Sequence, residues 1–203
     1  MSFSKKNNPF SSPQSLSEWL RPRLPSESFA SWGVKPGTKN VHNLWLEVSQ
    51  GETILADSTP PIRTVSVVSV RIIGKNNKIL VESHQELSDG SVRNRCRPLS
   101  EKRKGDEKFE GAVFRAIKEE LGSYDVMILG DSYREKVEER DSLSYPGLPA
   151  RYVLQCVDVK VDGLPEEEFC TDEAEEYADS TADKALSIKK HFWKWVSYDS
   201  VHF

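Results

Sequence analysis

The sixteen residues from 107 to 122 constrain the fold more than any other stretch of this chain. Within them Val113, Ile117 and Leu121 recur every four residues. This spacing predicts an amphipathic helix with one apolar stripe that faces a core. Gly122 follows the last apolar position, where glycine often ends a helix. The segment therefore predicts a helix packed on other elements of a folded domain.

Two carboxylates lie on one face of this predicted helix. At about 100° per residue, Ala116, Glu119 and Glu120 share a narrow face beside the apolar stripe. Paired carboxylates on a helix suit a hard divalent cation such as Mg²⁺, although an exposed helix rich in Lys and Glu is also ordinary protein surface. We expect Asp106 to cap the helix and Glu107 to favour its first turn.

The bulk composition predicts one ordinary domain with an appendage. The chain has 203 residues, of which 37% are hydrophobic and 30% charged, with a net charge of −4. This charge argues against a global basic field that recruits nucleic acid. No apolar run approaches the ~20 residues of a membrane span. The three cysteines lack the spacing of a zinc site, and their number and spacing favour a reducing compartment. We expect a cytoplasmic protein, with organellar targeting by the N-terminal tail as the alternative.

The chain divides into three predicted regions. Residues 1–14, rich in Ser, Asn and Pro, predict a disordered tail. Residues 15–60 predict a helical and irregular extension whose Trp and Phe side chains pack on the main domain. The alternative is that this aromatic surface is a separate platform that binds a peptide of a protein partner or stacks on bases. Pro60-Pro61 marks the boundary of the main domain, residues 61–203.

The main domain is predicted to contain several strands, then one helix, and then further strands. The predicted strands are residues 64–73, 79–82, 92–99, 124–129, 133–140, 151–161 and 191–198. The acidic segment 166–183 predicts a mobile, solvated loop. This order predicts an α/β (α+β) fold with a mixed β-sheet flanked by helices. Arg93, Arg95 and Arg97 alternate along one strand, so one face either contacts an anionic ligand or is solvated.

Residues 107–122 resemble the signature of the Nudix hydrolase family. The matching positions are Glu107, Arg115, Ile117, Glu119, Glu120 and Gly122, at the spacing of the family. The resemblance extends to the preceding hairpin, to the run from Arg95 to Leu99 and to the closing strand at 193–196. It covers about two-thirds of the chain and leaves out residues 1–60.

The resemblance implies a function and a set of site residues. Nudix enzymes hydrolyse nucleotide-like and other organic pyrophosphates with Mg²⁺ or Mn²⁺. It implies catalytic roles for Arg115, Glu119 and Glu120, and metal ligation by Glu107, Glu119 and Glu120. Arginines hold phosphate and aromatic rings stack on bases. The candidate substrate-binding residues are accordingly Arg95, Arg97, Tyr145, Arg151 and Trp193.

Two departures from the signature leave the function open. Ala116 stands where the family has a metal-binding Glu, and Glu101 replaces the opening glycine. Glu101, Asp106 and Glu110 are alternative general bases. The chain is therefore either a hydrolase of reduced or altered activity, or an inactive Nudix-fold binding or interaction module. The expected partners are a small-molecule diphosphate, a protein bound through residues 1–60, RNA at the basic strand, or a second copy in a homodimer.

Overall fold

A computed structural model describes residues 9–122, 125–172 and 187–201. The described helices are α1 Pro13–Leu20, α2 Ser26–Ala30, α3 Val41–Ser49 and α4 Phe109–Leu121. The described strands are β1 Ile54–Leu55, β2 Arg63–Ile72, β3 Lys78–Leu87, β4 Val92–Arg97, β5 Leu99–Lys102, β6 Val126–Asp141, β7 Pro149–Val161, β8 Phe169–Asp172 and β9 Ile188–Ser197. None of these helices is long and apolar enough to cross a membrane.

The described strands form two sheets. The first has the order β1-β2-β7-β6, and β5 pairs with β2 on the edge that β1 also uses. In this sheet β2 and β7 run parallel, whereas the other pairs are antiparallel. The second sheet has the order β4-β3-β9-β8 and is antiparallel throughout. The predicted α/β (α+β) fold with a mixed sheet is therefore confirmed.

Helix α4 packs its apolar stripe on both sheets. Val113, Ile117 and Leu121 are buried as predicted, and Ala112 and Ala116 are buried with them. Their core partners come from both sheets and are Val68, Val70, Ile72, Leu80, Leu99, Val157, Val159 and Trp193. The small side chains of Ala112 and Ala116 let the helix backbone approach the strands closely. Burial of the apolar stripe therefore fixes the position of α4 against the two sheets.

The expected cap at Asp106 is wrong. The helix begins at Phe109, and the residue in the cap position, Lys108, makes no side-chain cap hydrogen bond. The backbone instead turns before the helix, where the Glu107 N–H donates to the Lys104 carbonyl at 2.9 Å. Gly122 does end the helix, with a φ of 99° that favours glycine.

The N-terminal helices form a second core with the loop between β6 and β7. Its buried members are Phe10, Leu16, Leu20, Leu24, Trp32, Leu44, Tyr145 and Leu148. Helix α1 begins at Pro13 with a reciprocal cap between Ser12 and Ser15, inside the segment predicted as a disordered tail. The predicted tail therefore extends too far along the chain, because its last residues belong to α1. Residues 1–8 lie outside the described residues.

Several predicted elements differ from the observed ones, among them the strand predicted at 79–82, which is part of the longer β3. The strand at 92–99 divides at Pro98 into β4 and β5, which belong to different sheets, because proline cannot donate to a ladder. The strands predicted at 124–129 and 133–140 correspond to one strand, β6, whose ladder is irregular between Leu129 and Arg134, and residue 124 lies outside the described residues. The predicted acidic loop contains β8, and its residues 173–186 lie outside the described residues.

Candidate functional site

Two clusters of charged side chains flank α4. The first, called here the arginine clamp, consists of Glu101, Glu107, Arg115 and Glu119 at the partly exposed side of the helix. The second, called the buried triad, consists of Glu82, Glu120 and His191 on the side that faces the second sheet. Glu119 and Glu120 therefore point to different sides of the helix.

Arg115 is the centre of the arginine clamp. Its Nε and NH2 donate to the two oxygens of Glu107 at 2.8 and 3.0 Å, and its NH1 donates to Glu119 at 2.8 Å. NH2 also donates to the Lys102 carbonyl at 2.7 Å. Burial raises the pKa of Glu107, but the hydrogen bonds from Arg115 outweigh it and hold this pKa below its usual value. The clamp is a rigid, charge-assisted arrangement.

Glu101 lies at the edge of the clamp. Its carboxylate is 3.8 Å from Arg115 NH1, and its side chain is 28% exposed. Burial and the charge of Glu52 raise the pKa of Glu101 to about 7, although Arg115 and Lys102 oppose the shift. A carboxyl group with this pKa exchanges protons at neutral pH.

The clamp adjoins a small polar cleft at the edge of β2. The cleft is lined by Gly51, Glu52, Ile54, Thr64, Ser66, Arg103 and Gly105. Arg103 donates to the Glu107 carbonyl and, at 2.9 Å, to Gln155, while its buried Nε has no partner among the described residues. The clamp therefore faces a concave surface that carries both signs of charge.

Lys102 connects the clamp to a buried ion network in the N-terminal extension. Glu47 accepts from Lys39 at 2.9 Å and from Arg63 at 2.7 Å, and it lies 2.8 Å from Lys102 Nζ. Burial raises the pKa of Glu47, but the three cations hold this pKa well below its usual value. Tyr145 donates to the same carboxylate at 3.1 Å. The extension is thus tied to the strand that supports the clamp.

The buried triad joins three elements. His191 Nδ1 on β9 lies 2.6 Å from Glu82 Oε1 on β3 and 3.6 Å from Glu120 Oε2 on α4. The three side chains are 1%, 2% and 7% exposed, respectively. Burial raises the pKa of Glu82, but the hydrogen bond to His191 and the charge of Arg95 outweigh it and lower this pKa. The triad is a desolvated cluster of potential ligands.

The structure does not gather the predicted metal ligands at one point. Glu107 and Glu119 both bind Arg115, whereas Glu120 turns away into the triad. Ala116 is fully buried. Among residues 9–122, 125–172 and 187–201, the group whose ligand atoms are close enough to hold an ion is Glu82, Glu120 and His191. In this geometry the signature acids do not fit a shared metal, and the set of Glu107, Glu119 and Glu120 stays a prediction.

The predicted substrate-binding residues also lie apart. Arg95 donates to Glu82 at 3.0 Å, and Trp193 is buried and donates to Thr171 at 2.9 Å. Tyr145 is buried in the core of the extension. These three side chains are committed to internal contacts.

Arg97 and Arg151 remain at the surface. Arg97 is exposed to solvent, yet the protein atoms around its guanidinium partly desolvate it and, with the like charge of Arg95, lower its pKa to about 10. Arg151 lies on β7, 3.8 Å from Glu139 across the ladder. Neither residue contacts the clamp in a described ion pair, so their role in substrate binding stays a prediction.

Sequence reasoning missed Glu82 and His191. Both carried a detectable signal, because Glu82 follows Leu80 and His191 precedes Trp193 at the two-residue period of a strand face. A charged or titratable residue in phase with buried apolar residues is a candidate for a buried site.

Comparison with known proteins adds limited information. No protein-family model matches the chain, and no curated protein matches it. Among solved structures, a Nudix hydrolase from Nitrosomonas europaea is 15% identical, with a TM-score of 0.39 over 66% of this chain and 73% of that one. A second Nudix hydrolase structure from this organism is 14% identical, with a TM-score of 0.32 over 74% and 76% of the two chains. Values this low carry no argument about activity or substrate.

Proposed function

We propose that this chain is a Nudix-type hydrolase of a nucleotide-like or other organic pyrophosphate, dependent on Mg²⁺ or Mn²⁺ and altered in activity. The arginine clamp carries the proposal, because Arg115 joins Glu107 and Glu119, all three at positions of the signature. The adjoining polar cleft provides a surface for a small charged substrate. Ala116 is the reason to expect altered activity, since it removes one acid of the signature.

The chemistry assigned to the clamp is proton transfer and positioning. Hydrolysis forms a bond between a water oxygen and phosphorus, breaks the bridging phosphorus–oxygen bond, and transfers the water proton to a base. Glu101 is the proposed base, because its pKa of about 7 leaves much of it deprotonated at neutral pH. Arg115 holds the Glu119 side chain near Glu101. No step is assigned to the metal, since the signature acids do not converge.

The test is release of phosphate from a panel of organic pyrophosphates with Mg²⁺ or Mn²⁺. We expect metal-dependent release that is lost in the double variant Glu119→Gln plus Glu120→Gln. Glu101→Gln should lower kcat by ~10²–10⁴-fold and remove the rise in rate near pH 7. Glu18→Gln is the matched control, because Glu18 is an exposed acid on α1, outside the clamp and the cleft. Equal inertness of the wild type and the double variant on the whole panel would refute the proposal.

A second candidate is a catalytically inactive Nudix-fold binding or interaction module. The burial of Ala116 favours it, because that position offers no oxygen and no access to solvent. Its partner would be a protein bound through residues 1–60, where Val34 and Ile54 are exposed, or RNA bound by the basic strand β4. A homodimer is a further arrangement. Metal-independent binding of a non-hydrolysable diphosphate, or RNA affinity that falls steeply with salt, would support this candidate.

A further inference from the structure

We propose that Glu82, Gln85, Glu120 and His191 form a buried binding site for one Zn²⁺ or Mn²⁺ ion. Three of these residues come from the strands β3 and β9, and only Glu120 belongs to the Nudix signature. The site does not depend on whether the chain is an enzyme.

The strand register places these side chains on one face of the second sheet. In the antiparallel pair of β3 and β9, Glu82 lies opposite Trp193 and Gln85 lies opposite His191. Opposite residues share a face, and Trp193 packs in the core that contains α4. A β-bulge between Glu82 and His84 brings Gln85 onto the same face although it follows Glu82 by three residues. The face that meets Glu120 therefore carries three further polar groups.

The distances within the triad are close to those of a coordination sphere. Ligand atoms about 2.1 Å from a metal are about 3.0–3.4 Å from one another in octahedral or tetrahedral geometry. His191 Nδ1 is 2.6 Å from Glu82 Oε1 and 3.6 Å from Glu120 Oε2. All three ligand atoms lie within 4.8 Å of one another, so small side-chain rotations would bring them around one ion.

Gln85 provides an independent sign of a missing ligand. Its side chain is 2% exposed, and its amide donates a hydrogen bond to the Glu82 carboxylate. The oxygen of that amide, Oε1, is buried and has no hydrogen-bond partner within the part of the chain that the structure describes. Leaving a buried oxygen without a hydrogen bond is unfavourable, because the group has lost its contacts with water. A cation beside Glu82 would satisfy it and would complete a set of one nitrogen and three oxygen ligands.

Neighbouring residues hold the ligands in place. Arg95 binds Glu82 Oε2 at 3.0 Å, which leaves Oε1 directed to His191. Thr171 donates to the backbone carbonyl of Glu120 at 2.5 Å and accepts from Trp193 at 2.9 Å. The Trp193 ring lies 5.8 Å from the His191 ring at 20°, so it limits rotation of the imidazole. Such outer contacts orient the ligands of known metal sites.

The donor set selects the ion. The imidazole nitrogen suits Zn²⁺, and the carboxylate and amide oxygens suit Mn²⁺, whereas Mg²⁺ dehydrates reluctantly and retains several of its waters. The absence of sulfur from the described set argues against a soft ion such as Cu⁺. The site should therefore take Zn²⁺ or Mn²⁺ in preference to Mg²⁺.

The test is titration of chelator-treated full-length protein with Zn²⁺, Mn²⁺ or Mg²⁺, with bound metal measured by equilibrium dialysis. Zn²⁺ and Mn²⁺ should bind at one ion per chain, and Mg²⁺ at least 100-fold more weakly. Co²⁺ should give an absorption spectrum that His191→Asn changes. His191→Asn should lower Zn²⁺ affinity at least 100-fold, and Gln85→Leu about 10-fold.

Two features of the design keep the outcome decisive. His84→Asn is the matched control, because His84 stacks on Phe192 at 4.2 Å, outside the ligand set, and it should leave Zn²⁺ affinity unchanged. Gln85→Leu replaces the amide with an apolar group of similar size, so it should leave the fold intact. It is the second test of the site if circular dichroism shows that His191→Asn does not fold. Wild-type protein without bound Zn²⁺ or Mn²⁺ at millimolar concentration, or unchanged affinity in the variants, would overturn the site. Loss of hydrolysis in Glu101→Gln with intact Zn²⁺ binding would separate this proposal from the catalytic one.

Discussion

Restoring the signature acid at position 116 should destabilise the protein rather than complete a site. Ala116 is fully buried in the core between α4 and the two sheets. A glutamate there would have to bury a carboxyl group among apolar side chains. Such groups become protonated, with pKa values of about 8–9. The variant Ala116→Glu therefore tests whether the helix face carrying position 116 is closed.

The size of the effect can be worked out from the protonation cost. Taking up a proton at pH 7 by a group of pKa ~4.3 costs about 3.7 kcal/mol, at 1.36 kcal/mol per pH unit. Overpacking adds about 1–3 kcal/mol, and two buried methylenes return about 1.6 kcal/mol. The expected loss in the free energy of unfolding at pH 7 is thus about 3–5 kcal/mol. At pH 5 the protonation cost is about 1 kcal/mol, so the loss should shrink by about 2.7 kcal/mol.

Urea unfolding at pH 5 and pH 7 measures this difference. With an m-value of about 2 kcal/mol/M, 2.7 kcal/mol corresponds to a change of about 1.3 M in the midpoint shift. Ala116→Gln is the matched control, because it has the same size and does not titrate. The sign follows from linkage: the folded state raises the pKa of the new acid, so the penalty is absent below the unfolded pKa and grows with pH. If Ala116→Glu had the same urea midpoint as the wild type at pH 7, the burial of position 116 would be refuted. The same holds if the midpoints of the Glu and Gln variants depended equally on pH.

Three further outcomes follow from the contacts of the chain. Glu47→Gln should cost about 3–5 kcal/mol in urea unfolding, because it leaves the buried Arg63 without its carboxylate partner and removes an ion pair from each of the half-buried Lys39 and Lys102, whereas the exposed Glu18→Gln should change stability by less than about 0.5 kcal/mol. The three neighbouring cations hold the pKa of Glu47 well below its usual value in the folded protein, so its stabilisation is complete above the unfolded pKa of about 4.3 and is lost as the pH falls; wild type should therefore lose stability in acid more steeply than Glu47→Gln, and parallel acid curves would contradict this. Gly147→Ala should lower the free energy of unfolding by at least about 1 kcal/mol more than Gly90→Ala. Both glycines have a φ of +80°, but only a Cβ at position 147 would lie 2.6 Å from the Ser28 Cβ. Equal thermal unfolding temperatures of the two variants would show that this contact relaxes freely.

Local patterns were the part of the structure that the sequence predicted well. The stripe of Val113, Ile117 and Leu121 depends on helical periodicity, which is a property of the backbone alone. The contact between Arg115 and Glu119 spans i and i+4 and is equally local. The cap of α4 was predicted wrongly because Glu107, next to Asp106, is held outside the helix by Arg115. A tertiary contact thus displaced a local preference.

The candidate site was predicted less completely, because its residues meet through strand pairing. Glu82 and His191 are 109 positions apart and become neighbours only when β3 pairs with β9. Gln85 joins them through a β-bulge, which shifts the strand period and leaves no signal in a strict alternation. Periodicity could place Glu82 and His191 on an apolar face, but it could not bring the two faces together.

The sequence by itself determined that α4 exists, that its stripe is buried and that Arg115 and Glu119 meet, because these follow from the geometry of one helix. Only the tertiary structure decided the different environments of Glu119 and Glu120. These neighbours are separated by about 100° around the helix axis. One therefore remains in the partly exposed clamp, whereas the other enters the space between α4 and the second sheet. That separation depends on where the sheets pack, which no local pattern encodes.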